Sequence, residues 1–83
     1  MLFLAAEVPP MEEHLIKERL LAVNFEFRRL HAEHRDHESR LDELAAKPFL
    51  SAEEELQQRE LKKRKLLLKD KMALIMRDFQ KSL

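Results

Sequence analysis

Leu41-Asp42-Glu43-Leu44-Ala45-Ala46-Lys47-Pro48-Phe49-Leu50-Ser51-Ala52-Glu53-Glu54 is the stretch in which this chain has to turn around. The Pro48 ring crowds Lys47 out of the α region, so a helix arriving from the N-terminal side ends there. Ser51-Ala52-Glu53-Glu54 then forms a capping box: the serine oxygen accepts from the Glu54 amide, and the Glu54 carboxylate reaches back to the Ser51 amide. A stop signal and a start signal lie side by side. Two helices therefore meet across residues 47–50, with Phe49 and Leu50 placed to plug the end of the hairpin.

Outward from this turn run two ladders. The first is Ile16, Leu20, Val23, Phe27, Leu30, His34, His37, Leu41 and Leu44; the second is Leu61, Lys65, Leu68, Met72, Ile75 and Phe79. Steps of three and four put each set on one side of an α-helix. Folding back at Pro48 sets His37 near Leu61, His34 near Lys65, Leu30 near Leu68, Phe27 near Met72, Val23 near Ile75 and Leu20 near Phe79. The expected fold is all-α: an antiparallel, coiled-coil-like two-helix hairpin. Helix 1 is expected over about 11–46, roughly 35 residues or about 50 Å, the turn over 47–50, and helix 2 over about 51–81. Pro9 and Pro10 precede helix 1 and separate it from an apolar N-terminal arm at residues 1–10.

Composition agrees with long helices. The 83 residues contain no glycine and no cysteine, and the prolines are Pro9, Pro10 and Pro48. Without glycine there are few tight turns, and no glycine-rich phosphate loop or nucleophile elbow can form. Without cysteine neither a disulfide framework nor a thiolate metal site is available. The net charge is zero, but it is unevenly spread. Residues 1–60 carry eight Lys and Arg against fourteen Asp and Glu, a net of −6, and residues 61–83 carry eight against two, a net of +6. Met1 to Val8 lacks a basic flank and is too short for a secretory signal or a membrane span. The reading is a soluble cytoplasmic protein whose arm docks on the bundle or stays disordered rather than entering a membrane.

Side chains outside the ladders suggest a contact surface. Leu56, Leu67 and Leu74 project at roughly 100° from the main stripe of helix 2, Leu66 lies off both rows, and Leu21 and Phe25 fall outside the ladder of helix 1. A two-helix hairpin leaves these wet, and exposed apolar rows of this kind mark protein contacts. Self-association into an antiparallel four-helix arrangement is the simplest remedy. His34, His37 and Lys65 interrupt the apolar seam as a polar layer, a device that fixes register. Lys65 opposite His34 also disfavours the imidazolium there, with Glu33, Glu38 or a partner's carboxylate to compensate. His31, His34 and His37, three residues apart, admit a zinc or nickel site only on paper, because no further ligand supports them and Lys65 opposes a cation. No cofactor is expected. The carboxylates lie on solvated helix faces instead of a water-excluding cleft, so no enzyme is expected either. Lys62, Lys63, Arg64 and Lys69 carry the alternative reading, nucleic-acid contact through phosphate neutralisation. Against it, consecutive residues point all round a helix, and Trp and Tyr are absent as stacking platforms.

Leu61-Lys62-Lys63-Arg64-Lys65-Leu66-Leu67-Leu68-Lys69-Asp70, followed by Met72, also carries a likeness. With Leu30, Glu33-His34 and Leu41-Asp42 it resembles the YdcH-like family, small bacterial proteins classed as a domain of unknown function, over about Phe25 to Met76. The shared signature is Leu-Lys-Lys, any residue, Lys-Leu, any residue, Leu-Lys-Asp. The resemblance implies a helical hairpin that oligomerises and implies no activity. The first two dozen residues extend beyond the family's usual pattern. The functional expectation is a non-enzymatic structural or interaction module acting through self-association or a partner helix.

Overall fold

The computed structural model describes residues 10–82, with side chains from Glu12 onward. Three α-helices make up the described chain: α1 at Pro10–Val23, α2 at Phe25–Ala45 and α3 at Ala52–Lys81. Among the described residues there is no strand. The expected apolar arm lies outside the described residues apart from Pro10, which opens α1.

The capping box at the head of α3 forms as its residues require. The Glu54 amide donates to Ser51 Oγ at 3.1 Å, and the Ser51 amide donates to Glu54 Oε1 at 3.0 Å. Lys47, from the other side of the turn, pairs with the second Glu54 oxygen, and Arg40 donates to Gln57 at 3.1 Å and to Glu43 at 2.9 Å. The Lys47–Glu54 and Arg40–Gln57 contacts tie the end of α2 to the start of α3 in an antiparallel register. Leu50 packs on Leu41, Leu44 and Leu61, but Phe49 is 87% exposed and plugs nothing. At thirty residues α3 is about 45 Å long, which accounts for the 48 Å long axis of the molecule.

The expected single first helix is replaced by two. Asn24 leaves the helical region at φ −111°, ψ 111°, and caps α2 by accepting the Phe27 amide on Oδ1 at 2.8 Å. Asn is among the best N-cap residues because its short side chain satisfies an amide that has no partner in the first turn. The carbonyls left over at the end of α1 are served by Arg28, whose guanidinium donates to Leu21 and Ala22 oxygens, both at 3.3 Å. The break changes which residues are covered. Val23, a rung expected opposite Ile75, is 62% exposed, while Leu21 is half-buried and packed against the core.

Two apolar clusters hold the helices together. The larger joins Ile16 and Leu20 of α1 to Phe27 and Leu30 of α2 and Leu68 and Met72 of α3, with Leu21, Ile75, Met76 and Phe79 at its margin. Phe27 is 0% exposed and anchors it. The smaller, next to the turn, consists of Leu41, Leu44 and Leu61. Removing a Leu, Ile or Phe side chain from water contributes about 1.5–3 kcal/mol. Ile16 and Leu20 therefore hold α1 against the open end of the hairpin.

Candidate functional site

Between the two clusters the seam turns polar. His34 on α2 and Lys65 on α3 are both half-buried there, as their ladder positions require. The Lys65 ammonium lies 3.4 Å from a Glu38 carboxylate oxygen, one turn along α2 from His34. Glu38, though exposed like Glu33, is thus the compensating acid. An ion pair at this level of exposure contributes about 0–1 kcal/mol, so its effect is to match α2 with α3 rather than to hold them together.

His34 has the least favourable position in the layer. Its Nε2 is sealed from solvent and meets no hydrogen-bond partner among the described residues. Burial lowers its pKa; Glu38 acts in the opposite direction, and Lys65, Lys69 and His31 add to the lowering. His31 is also held low, first by burial and then by Lys17 of α1 and by Arg35. Both imidazoles are consequently neutral at pH 7. His37 is half-buried on the same stripe. Among the described residues no group of three His, Cys, Asp or Glu side chains is placed to hold a metal ion.

Most of the remaining candidate residues lie outside this seam. Leu56, Leu66, Leu67 and Leu74 are each more than half exposed, and on α2 Phe25 is 72% exposed. Leu21, expected with them, belongs instead to the margin of the core. Lys62, Lys63, Arg64 and Lys69 are all exposed. Since Lys65 turns into the seam, the basic run is divided: Lys63 lies in line with the leucine row, seven residues from Leu56 and four from Leu67, while its neighbours flank the row. The Asn24 break and the docking of α1 are missing from the sequence reading. Their signal was an N-cap residue inside the ladder with Glu26 in the following first turn, obscured by apolar spacing that continued past it. Among the described residues no helix is long and apolar enough to cross a membrane.

A family model described as "Protein of unknown function (DUF465)" matches residues 27–76. It begins at Phe27, beyond the Asn24 cap, and spans the α2–α3 turn, leaving α1 outside the match. No curated protein and no solved structure matches the chain.

Proposed function

We propose, from the premise that this chain belongs to the DUF465 family, which is the YdcH family, that it is a non-enzymatic helical interaction module whose docking face is the outer row of α3. The observation that carries the reading is that α3 is apolar on two sides. Leu61, Leu68 and Met72 are spent on the hairpin. Leu56, Leu67 and Leu74, with Leu66 to one side of their line, are left in water at no evident benefit to the folded monomer. Separate surface leucines are ordinary, but a row of them along one helix matches the way an amphipathic helix is recognised by another.

The exposed cluster Lys62, Lys63, Arg64 and Lys69 favours one second reading, contact with nucleic-acid phosphates. Such contact weakens steeply as salt rises. A photo-crosslinking residue at Leu67, installed in the full chain in its native host, tests both readings, with an equivalent probe at the exposed Ser39 of α2 as control. Protein adducts specific to the Leu67 probe are expected. No adduct, or adducts to nucleic acid alone, would overturn the docking reading, and the latter would establish the alternative.

A further inference from the structure

We propose that the open end of the α2–α3 hairpin is a docking groove for an acidic amphipathic helix of a partner protein, and that α1 is its resident, imperfect occupant. The groove is distinct from the outer leucine row of α3, so neither reading depends on the other.

The groove already holds a helix. Phe27 and Leu30 of α2 with Leu68 and Met72 of α3 form its floor, and Ile16 and Leu20 of α1, one turn apart, are seated on them. Both methionines of α3, Met72 and Met76, belong to this cluster, and such unbranched side chains adapt to more than one partner. The family match covers residues 27–76. The floor therefore belongs to the shared hairpin, whereas its occupant does not.

The attachment of α1 permits exchange. Among the described residues its side chains make no hydrogen bond or ion pair to α2 or α3: His14 pairs with Glu18 inside α1, and only the Leu21 and Ala22 carbonyls are held, by Arg28. The hairpin, by contrast, is tied by Lys47–Glu54, Arg40–Gln57 and Lys65–Glu38. Nor does α2 depend on α1 for its first turn, which the Asn24 side chain caps.

Charge gives the character of the better occupant. Arg28, His31 and Arg35, spaced by three and four, share one side of α2. Arg28 bonds the carbonyls of α1, and Lys17 of α1 and Arg35 both oppose a proton on His31. The next residue of that stripe, Glu38, is engaged by Lys65. This edge of the groove thus offers donors and no free acid. Against it α1 turns the wrong residue inward. Ile16 and Leu20 are buried and Lys17 and Leu21 half-buried, and among the described residues Lys17 has no carboxylate within ion-pair distance. A helix with aliphatic residues at the Ile16, Leu20 and Leu21 positions and Asp or Glu at the Lys17 position keeps the apolar fit. Its carboxylate accepts from neutral His31 and attracts Arg35.

Two synthetic peptides test this on the full chain: residues 10–23 unchanged, and the same segment with Lys17→Glu. Each is titrated by NMR into the isotope-labelled parent and into Leu20→Asp, in which α1 no longer fills the groove. The acidic peptide should bind about threefold or more tightly than the unchanged one, the scale of a partly exposed ion pair. It should shift the signals of Leu30, Leu68 and Met72, and bind Leu20→Asp more strongly than the parent, because the tethered α1 no longer competes. Within the chain itself, Lys17→Glu should slow amide exchange in α1 about threefold, and Arg35→Ala, at an exposed position, should abolish that gain. The exchange measurement decides even if Leu20→Asp fails to fold. Equal affinity of the two peptides would point to α1 of another copy as occupant, and shifts confined to Leu67 and Leu74 would place the acidic helix on the outer row. Either result, absence of saturable binding by the acidic peptide, or α1 exchange unaffected by Lys17→Glu would overturn the inference.

Discussion

Replacing His34 with leucine stabilises the fold, and the structure indicates by how much. His34 Nε2 is buried without a partner, and an unsatisfied buried polar atom costs about 1–3 kcal/mol. The side chain is only half-buried, so the lower end of that range applies, about 1 kcal/mol. Leucine at this position extends the apolar seam from Leu30 toward Leu41 and leaves the Lys65–Glu38 pair in place. In a domain of this size 1 kcal/mol moves Tm by about 4–8 °C. The gain also depends on pH. Folded His34 titrates below the 6.5 of the unfolded chain; between the two values the unfolded chain holds the proton and the folded chain does not. Stability is therefore complete above about pH 6.5 and declines as the pH falls toward the folded value. His34→Leu removes this contribution while His31, shifted the same way, retains its own. Thermal unfolding followed by far-UV circular dichroism at about pH 7 and about pH 5.5 should show a higher Tm for the variant, with a larger margin at the lower pH. Sedimentation at both pH values ensures that the same oligomer is compared. A Tm unchanged or lowered near neutrality, or a margin that does not widen in acid, would refute the reasoning.

Phe27→Ala should cost about 3–5 kcal/mol, as expected for a fully buried aromatic, which is from about a quarter to all of the stability of an 83-residue chain at about 0.05–0.15 kcal/mol per residue. Phe25→Ala, at a 72% exposed position, should stay within about 0.5 kcal/mol; similar urea midpoints for the two variants would contradict the burial pattern. Ser51→Ala should lose about 0.5–2 kcal/mol through the helix cap, measured by urea unfolding. Glu54 is held below its ordinary value first by its hydrogen bond from Lys47 and then by the Ser51 amide. The stability it contributes is therefore present above about pH 4.5 and lost as the pH falls through the folded value. Glu54→Gln should flatten the acid limb of Tm against pH, and an unaltered limb would remove Glu54 from it. Asn24→Ala removes the acceptor for the Phe27 amide and favours helix across the break; faster amide exchange in α1 than in the parent is expected, and unchanged exchange would show that packing alone sets the break.

The turn, the α2–α3 register and the cap of α3 were legible in the residues because their causes are local or periodic. Pro48 acts on its immediate neighbour, Ser51 and Glu54 act within one helical turn, and the spacing of Leu30, Leu41, Leu61, Leu68 and Met72 reports a shared face whatever the surroundings. The exposure of Leu56, Leu66, Leu67 and Leu74 followed from the same periodicity. The polar layer was legible in part: His34 and Lys65 came from the ladders, but Glu38 as the partner of Lys65 required the actual side-chain reach.

The fates of Val23, Leu21 and Phe49 were decided only in three dimensions. Periodicity states which side chains share a face but not whether a helix remains continuous, because continuity is a balance between a few backbone hydrogen bonds and distant burial. At Asn24 the carbonyls of Leu21 and Ala22 and the amide of Phe27 exchange their helical partners for the side chains of Arg28 and Asn24. In return Ile16 and Leu20 reach Phe27 and Met72. That exchange joins residues far apart along the chain, so no local pattern around Asn24 could express it.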